Sequence, residues 1–181
     1  FVLLFSMSTI DPVKISQLKD GMGDKPELKS FNEITKEFEE ILEELNIEDQ
    51  AKVSRDPRGV TLEIDGDICF KSASTQLHDK LVQVLDLAAQ KVLATSDDPR
   101  LITVEGHTDS DPIPEALAHI FPTNWELSSA RASKVVNYLI DIGVNSGKLQ
   151  ASGYADRWPA NLSWYDVRSG QVTDAVIMEN N

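Results

Sequence analysis

The residues able to do chemistry gather in two short stretches. Glu105-Gly106-His107-Thr108-Asp109 closes one apolar run, and Asn124-Trp125-Glu126-Leu127-Ser128-Ser129-Ala130-Arg131 opens another further along the chain. Asn124 or Ser128 can cap a helix at that point, and the helix's first amides carry partial positive charge. Arg131 adds a guanidinium and Asp109 a carboxylate. A ligand bearing an ammonium and a carboxylate on one carbon would meet Asp109 on one side and Arg131 with backbone amides on the other. The same two side chains could equally close an internal salt bridge.

Hydrolysis is the competing chemistry, because His107, Asp109 and Ser110 bring base, acid and nucleophile types close together in sequence. Catalytic triads are recognised by geometry rather than adjacency, and no nucleophile-elbow pattern accompanies these residues. His78, His107 and His119 stand far apart, with no His-x-x-x-His or Cys-x-x-Cys spacing, so no metal and no cofactor is expected. The single cysteine, Cys69, lies in the apolar run Ile68-Cys69-Phe70. It cannot form an internal disulfide and is expected to pack in a core rather than react.

These groups need a scaffold, and the apolar pattern supplies one. Val60, Leu62 and Ile64 alternate with polar residues after the turn Asp56-Pro57-Arg58-Gly59, which predicts a hairpin leading into a strand. Ser74 or Thr75 can cap a helix whose inward positions Leu77, Leu81, Val84, Leu85, Ala88 and Val92 hold helical period to about Leu93. Leu101–Glu105 reads as a strand, Ser128–Ile142 as a helix stopped by Gly143, and Leu149–Tyr154 as a further strand. Strand, helix, strand, helix, strand implies an α+β domain with a small sheet and helices on one face. Upstream, Leu28, Phe31, Ile34, Phe38, Ile41, Leu42 and Leu45 recur at three- and four-residue steps, an amphipathic helix within 27–50. A short helix around Val13–Lys19 and a last apolar segment at Val172–Met178 complete the pattern.

Charge narrows the partners. Thirty acidic against seventeen basic residues among 181 give a formal charge of −13, which repels phosphate backbones and excludes nucleic acid as a natural partner. The opening run Phe1-Val2-Leu3-Leu4-Phe5-Ser6-Met7 has no basic residues before it, unlike a signal peptide. It covers about a third of the ~20 residues that cross a bilayer. It suits the end of a membrane helix or a short buried element.

The stretch Val104–Asp109, the stretch Asn124–Ala132, then Val135–Gly143 and Leu149–Asp156 with Pro159 closely resemble the OmpA-like peptidoglycan-binding domain. About a hundred residues match, with the blocks in order and correctly spaced. Phe70 and Lys71–Ser74 resemble that family's first loop. The resemblance implies an OmpA-like βαβαβ sandwich in 51–181, without enzymatic activity. It also implies that Asp109 and Arg131 grip the diaminopimelate of a peptidoglycan stem peptide, with Thr108, Asn124 and Leu127 shaping the pocket.

Within the family, Asn124-Trp125-Glu126-Leu127-Ser128 resembles the B subunits of flagellar motor stators (MotB/PomB type). That likeness implies a periplasmic domain of a single-pass inner-membrane protein that anchors an ion channel to the wall. It implies a homodimer, partnered with the stator A subunit through a transmembrane helix. Residues 1–8 would be the end of that helix, 9–26 a plug or linker and 27–50 a linker helix. An outer-membrane OmpA or Pal-type tether is the alternative within the fold, and a periplasmic wall hydrolase using His107 the alternative outside it. The family's closing Asn-Arg-Arg-hydrophobic-Glu block has no counterpart after Pro159, so the C-terminal end is expected to be incomplete and the sheet to lack a strand.

Overall fold

A computed structural model describes residues 2–8, 29–56, 59–71, 74–93, 98–109, 111–113 and 115–156. The alternating apolar positions do form strands. β1 (Val2–Ser8), β2 (Ala51–Asp56), β3 (Gly59–Asp65), β4 (Ile102–His107) and β5 (Leu149–Gly153) make one mixed sheet in the order β2-β3-β1-β4-β5. β2 and β3 are an antiparallel hairpin, β4 and β5 run parallel, and β1 runs antiparallel to both β3 and β4.

β1 overturns one expectation. Residues 2–8 are the middle strand of the sheet rather than the end of a membrane helix, with Val2 opposite Asp65 on one side and His107 on the other. A short, unbroken apolar run fits a strand flanked on both sides as well as it fits a helix. Paired on both edges, its backbone donors and acceptors find partners that a lone turn or two of helix would lack. Among the described residues no helix is long and apolar enough to cross a membrane. The proposed plug at 9–26, the short helix at Val13–Lys19, and everything beyond Asp156 lie outside the described residues.

In chain order the helices are α1 (Phe31–Leu45), α2 (Gly66–Cys69), α3 (Asp79–Ala88), α4 (Glu115–Ala118) and α5 (Asn124–Asp141); α1, α3 and α5 follow the helical periods, while α2 and α4 are four-residue turns that the periods do not announce. The three long ones bury Ile34, Phe38, Leu81, Leu85, Val135 and Leu139 in one cluster with Leu62, Ile64, Ile102 and Val104. On β3 and β4 those buried residues alternate with Glu63, Thr103 and Glu105, which are only partly covered. The helices therefore share one face of the sheet, as an α+β domain requires.

α1 belongs to that core and is not a linker. It buries Ile34, Phe38, Ile41 and Leu42, together on the order of 6–12 kcal/mol at about 1.5–3 kcal/mol per side chain. That rivals the net stability of a whole domain, about 5–15 kcal/mol. Its start is fixed by a capping box: Ser30 Oγ accepts from the Glu33 amide at 3.3 Å and the Ser30 amide donates to Glu33 Oε2 at 2.6 Å.

Two devices tie α1 to the rest. Lys29 Nζ donates to the Lys91 carbonyl at 2.5 Å, and Arg100 Nη1 donates to the Lys29 carbonyl at 2.9 Å. Arg100 is itself buried against buried Asp98, with Nε 2.8 Å from Oδ1 and 2.9 Å from Oδ2. Its guanidinium also sits 5.3 Å from the centre of the Phe31 ring. Burial pushes the Asp98 carboxyl up, but the hydrogen bonds and charge of Arg100 outweigh it and hold that carboxyl below the usual carboxylate range.

The cap of α3 differs from expectation. His78, not Ser74 or Thr75, occupies the position, its Nδ1 accepting from the Lys80 amide at 3.2 Å. Ser74 instead turns the preceding loop, its Oγ accepting from the Gln76 amide at 2.9 Å. α3 then continues through a π-helical turn, Ala89–Leu93, to the apolar limit read from sequence.

Cys69 is fully buried, and burial pushes its thiol well above the ordinary range. It is expected to resist a thiol-specific chromogenic reagent in the native protein and to react stoichiometrically only in denaturant.

Candidate functional site

The site is built where β4 and β5 end beneath the start of α5, and two glycines allow the helix to come that close. A Cβ on Gly106 would lie 2.4 Å from the Ser128 carbonyl oxygen, and one on Gly153 would lie 2.5 Å from the Ser129 amide nitrogen. Fully buried Ser128 stitches the layers together: its Oγ donates to the Trp125 carbonyl at 3.2 Å and accepts from the Ala155 amide at 3.2 Å. The strands stay paired past their ends, with the Tyr154 amide bonded to the Gly106 carbonyl at 2.9 Å and the Thr108 amide to the Ala155 carbonyl at 2.8 Å. Gly106→Ala is expected to cost about 1–3 kcal/mol or more, because the obstacle is backbone and cannot rotate away; a urea titration reads it as a lower midpoint.

Thr123, rather than Asn124 or Ser128, caps α5. Its Oγ1 accepts from the Trp125 amide at 3.2 Å, and Glu126 returns the bond by accepting from the Thr123 amide at 2.9 Å. Hydrogen bonding to Thr123 holds the Glu126 carboxyl below its ordinary range. Asn124 is thereby left to hold the loop after β4, its Nδ2 lying 3.3 Å from the Asp109 carbonyl and 3.4 Å from the Asp111 carbonyl. The Asp111 amide in turn donates to Asp109 Oδ1 at 3.2 Å, which fixes the carboxylate's direction.

Arg131 comes from the next turns of α5. Its Nε and Nη2 donate to the Ser74 carbonyl at 3.2 and 3.0 Å, and its guanidinium lies 4.9 Å from the centre of the Phe70 ring. Burial draws its pKa below the ordinary value while Cys69 and Asp109 act against that pull; guanidinium stays charged at any working pH.

These pieces enclose a cavity of about 240 Å³ lined by Thr108, Asp109, Asp111, Pro112, Ile113, Asn124, Leu127 and Arg131. All five residues named from sequence as a pocket line it together. Thr108 Oγ1 is buried without a hydrogen-bond partner, and such a group costs about 1–3 kcal/mol until something meets it. Asp111, Pro112 and Ile113 were not singled out from sequence. Their signal was only their place in the loop after Asp109.

His107 does not join them. It is buried, its ring stacked at 5.2 Å on Tyr154, with Nε2 3.8 Å from Glu105 Oε2, and it does not line the cavity. A general base must reach the proton that it takes, so this geometry gives the hydrolytic alternative no support. Ser110 lies outside the described residues. Among the described residues no cluster of three or more His, Cys, Asp or Glu is placed to hold a metal ion.

The sheet, the helices on one face and the loop cavity define an α+β domain of OmpA type. A model of the OmpA family matches residues 69–170, more than half of the chain, and the chain belongs to that family. It is 32% identical over 190 residues to the uncharacterized protein YtxE of Bacillus subtilis, covering 88% of this chain and 73% of that one. Motility protein B of Bacillus subtilis is 26% identical, over 76% of this chain and 50% of its own length. Among solved structures, a MotB-like protein from Desulfovibrio vulgaris superposes with a TM-score of 0.63 at 20% identity, covering 83% of this chain and 88% of that one. The fold is that of MotB periplasmic domains.

Proposed function

We propose that the domain is a non-catalytic wall anchor that binds peptidoglycan in the cavity after β4 and holds a flagellar motor stator in place. The observation that carries it is the meeting, in one cavity, of Asp109 and Arg131, a carboxylate and a guanidinium. That pair suits the zwitterionic end of a diaminopimelate stem peptide: ammonium toward Asp109 and carboxylate toward Arg131. Asn124 and Leu127 shape the walls. No barrier needs lowering, so the two charged groups act as static partners.

Similarity to Motility protein B supports a stator as the load. The chain would then work in pairs, in the periplasm, alongside a stator A subunit. Cosedimentation with purified sacculi tests the anchor. The chain pellets with the wall, and Asp109→Asn leaves it in the supernatant while its circular dichroism is unchanged; a wild-type chain that stays soluble would refute wall binding.

A further inference from the structure

We propose that a second subsite lies beside the pocket, along α5, and takes the sugar-proximal part of the same wall polymer whose peptide tip enters the cavity. This rests on the wall-binding reading above. An open groove of about 840 Å³ runs between the loop before α3 and the later turns of α5. Ser74 lines its near end, and the Ser74 carbonyl is also the acceptor that holds Arg131. The groove thus begins on the far side of the Arg131–Ser74 bridge from the pocket.

The lining suits a neutral, acetamido-bearing sugar. Gln76 and Asn137 offer planar carboxamides, each both donor and acceptor, while Lys134 adds one positive charge and Asp79 and Asp141 add two negative ones. Between them Leu77 and Ile140 present apolar surface, with Ile140 40% exposed. The groove is open and more polar than apolar, so it offers hydrogen bonds to a hydrated ligand rather than an enclosed apolar pocket.

The span also fits. From Arg131 to Asp141 the helix advances about 15 Å at 1.5 Å per residue. A peptide leaving the pocket at about 3.3 Å per extended residue needs only a few residues to bring the sugar that it hangs from over Lys134 and Asn137.

The test is titration calorimetry on the full chain with two soluble probes, a stem tripeptide containing diaminopimelate and the same tripeptide joined to its disaccharide. Wild type is expected to bind the disaccharide form roughly tenfold more tightly, the scale of two net hydrogen bonds. Lys134→Ala combined with Asn137→Ala, both exposed, should erase that preference and leave bare-peptide affinity unchanged. Asp109→Asn should weaken both probes alike. Equal wild-type affinity for the two probes overturns the subsite and leaves the pocket standing. Failure to bind either probe overturns both. If light scattering shows a dimer that the double variant dissolves while the disaccharide preference persists, the groove is a contact between copies and the subsite is wrong.

Discussion

Arg131→Ala is expected to weaken binding to sacculi by roughly 30- to 1000-fold, the equivalent of about 2–4 kcal/mol for losing one side of a charge-assisted contact. The size follows from how the side chain is held. Two hydrogen bonds to the Ser74 carbonyl and the face of Phe70 fix the guanidinium before any ligand arrives, so little ordering remains to be done on binding. Arg131→Lys keeps the charge and loses the planar fork; it should fall between wild type and Ala. Asp109→Asn retains an oxygen for the Asp111 amide while removing the charge, which makes it the cleaner probe of the ammonium contact. Protection of the Cys69 thiol reports whether each variant is folded. Binding curves that superimpose for wild type, Arg131→Ala and Asp109→Asn would show that the cavity is not where the wall is held.

The largest stability effect is expected from Arg100→Met, about 3–5 kcal/mol near neutral pH, because it strands a buried carboxylate. Asp98 then faces burial without its partner, and the Lys29 carbonyl loses its donor. The pH dependence has a definite sign. In the wild type the Asp98 carboxyl lies below its ordinary value of 3.8, so its contribution is complete above that pH and is lost as pH falls through the folded value. In the variant the amide of residue 100 and the charge of Lys148 still favour the carboxylate, but the guanidinium no longer offsets burial, so the Asp98 pKa rises relative to the wild type. Proton uptake therefore relieves the variant as the medium is acidified, and the gap between the two proteins narrows toward pH 4 and below. Urea unfolding at several pH values measures the gap; a constant difference would mean that the penalty comes from lost packing on Phe31 rather than from charge.

Much of this architecture was legible in the residues, and the exceptions have particular causes. Gly106, Gly153, Ser128 and Arg131 sit on elements with clear periods and Asp109 lies just past one, so β4, α5 and β5 emerge within a few residues of their true ends. The start of α5 was misplaced because Thr123 follows a proline and two stronger capping candidates come after it. Arg131's anchor was harder, since the Ser74 carbonyl is backbone and lies 57 residues away in sequence. Asp98 and Arg100 fall between two elements, where no apolar period marks them; only their burial reveals an ion pair. β1 was misread for a reason of principle. A uniform apolar run has no period, and what decides between helix and strand is a neighbour that the local sequence does not contain.

The placement of β1 also has a mechanical consequence. Val2 lies opposite His107, so the N-terminal end of that strand emerges at the same end of the sheet as the loop holding Asp109. A tether pulling on that end, against a ligand gripped in the cavity, would stress neighbouring points. The tension would reach the Val2–His107 and Val2–Asp65 pairs first and move inward one rung at a time, instead of shearing both ladders at once. Such a joint yields by peeling, and it does so at the strand that joins the β2–β3 hairpin to the β4–β5 pair.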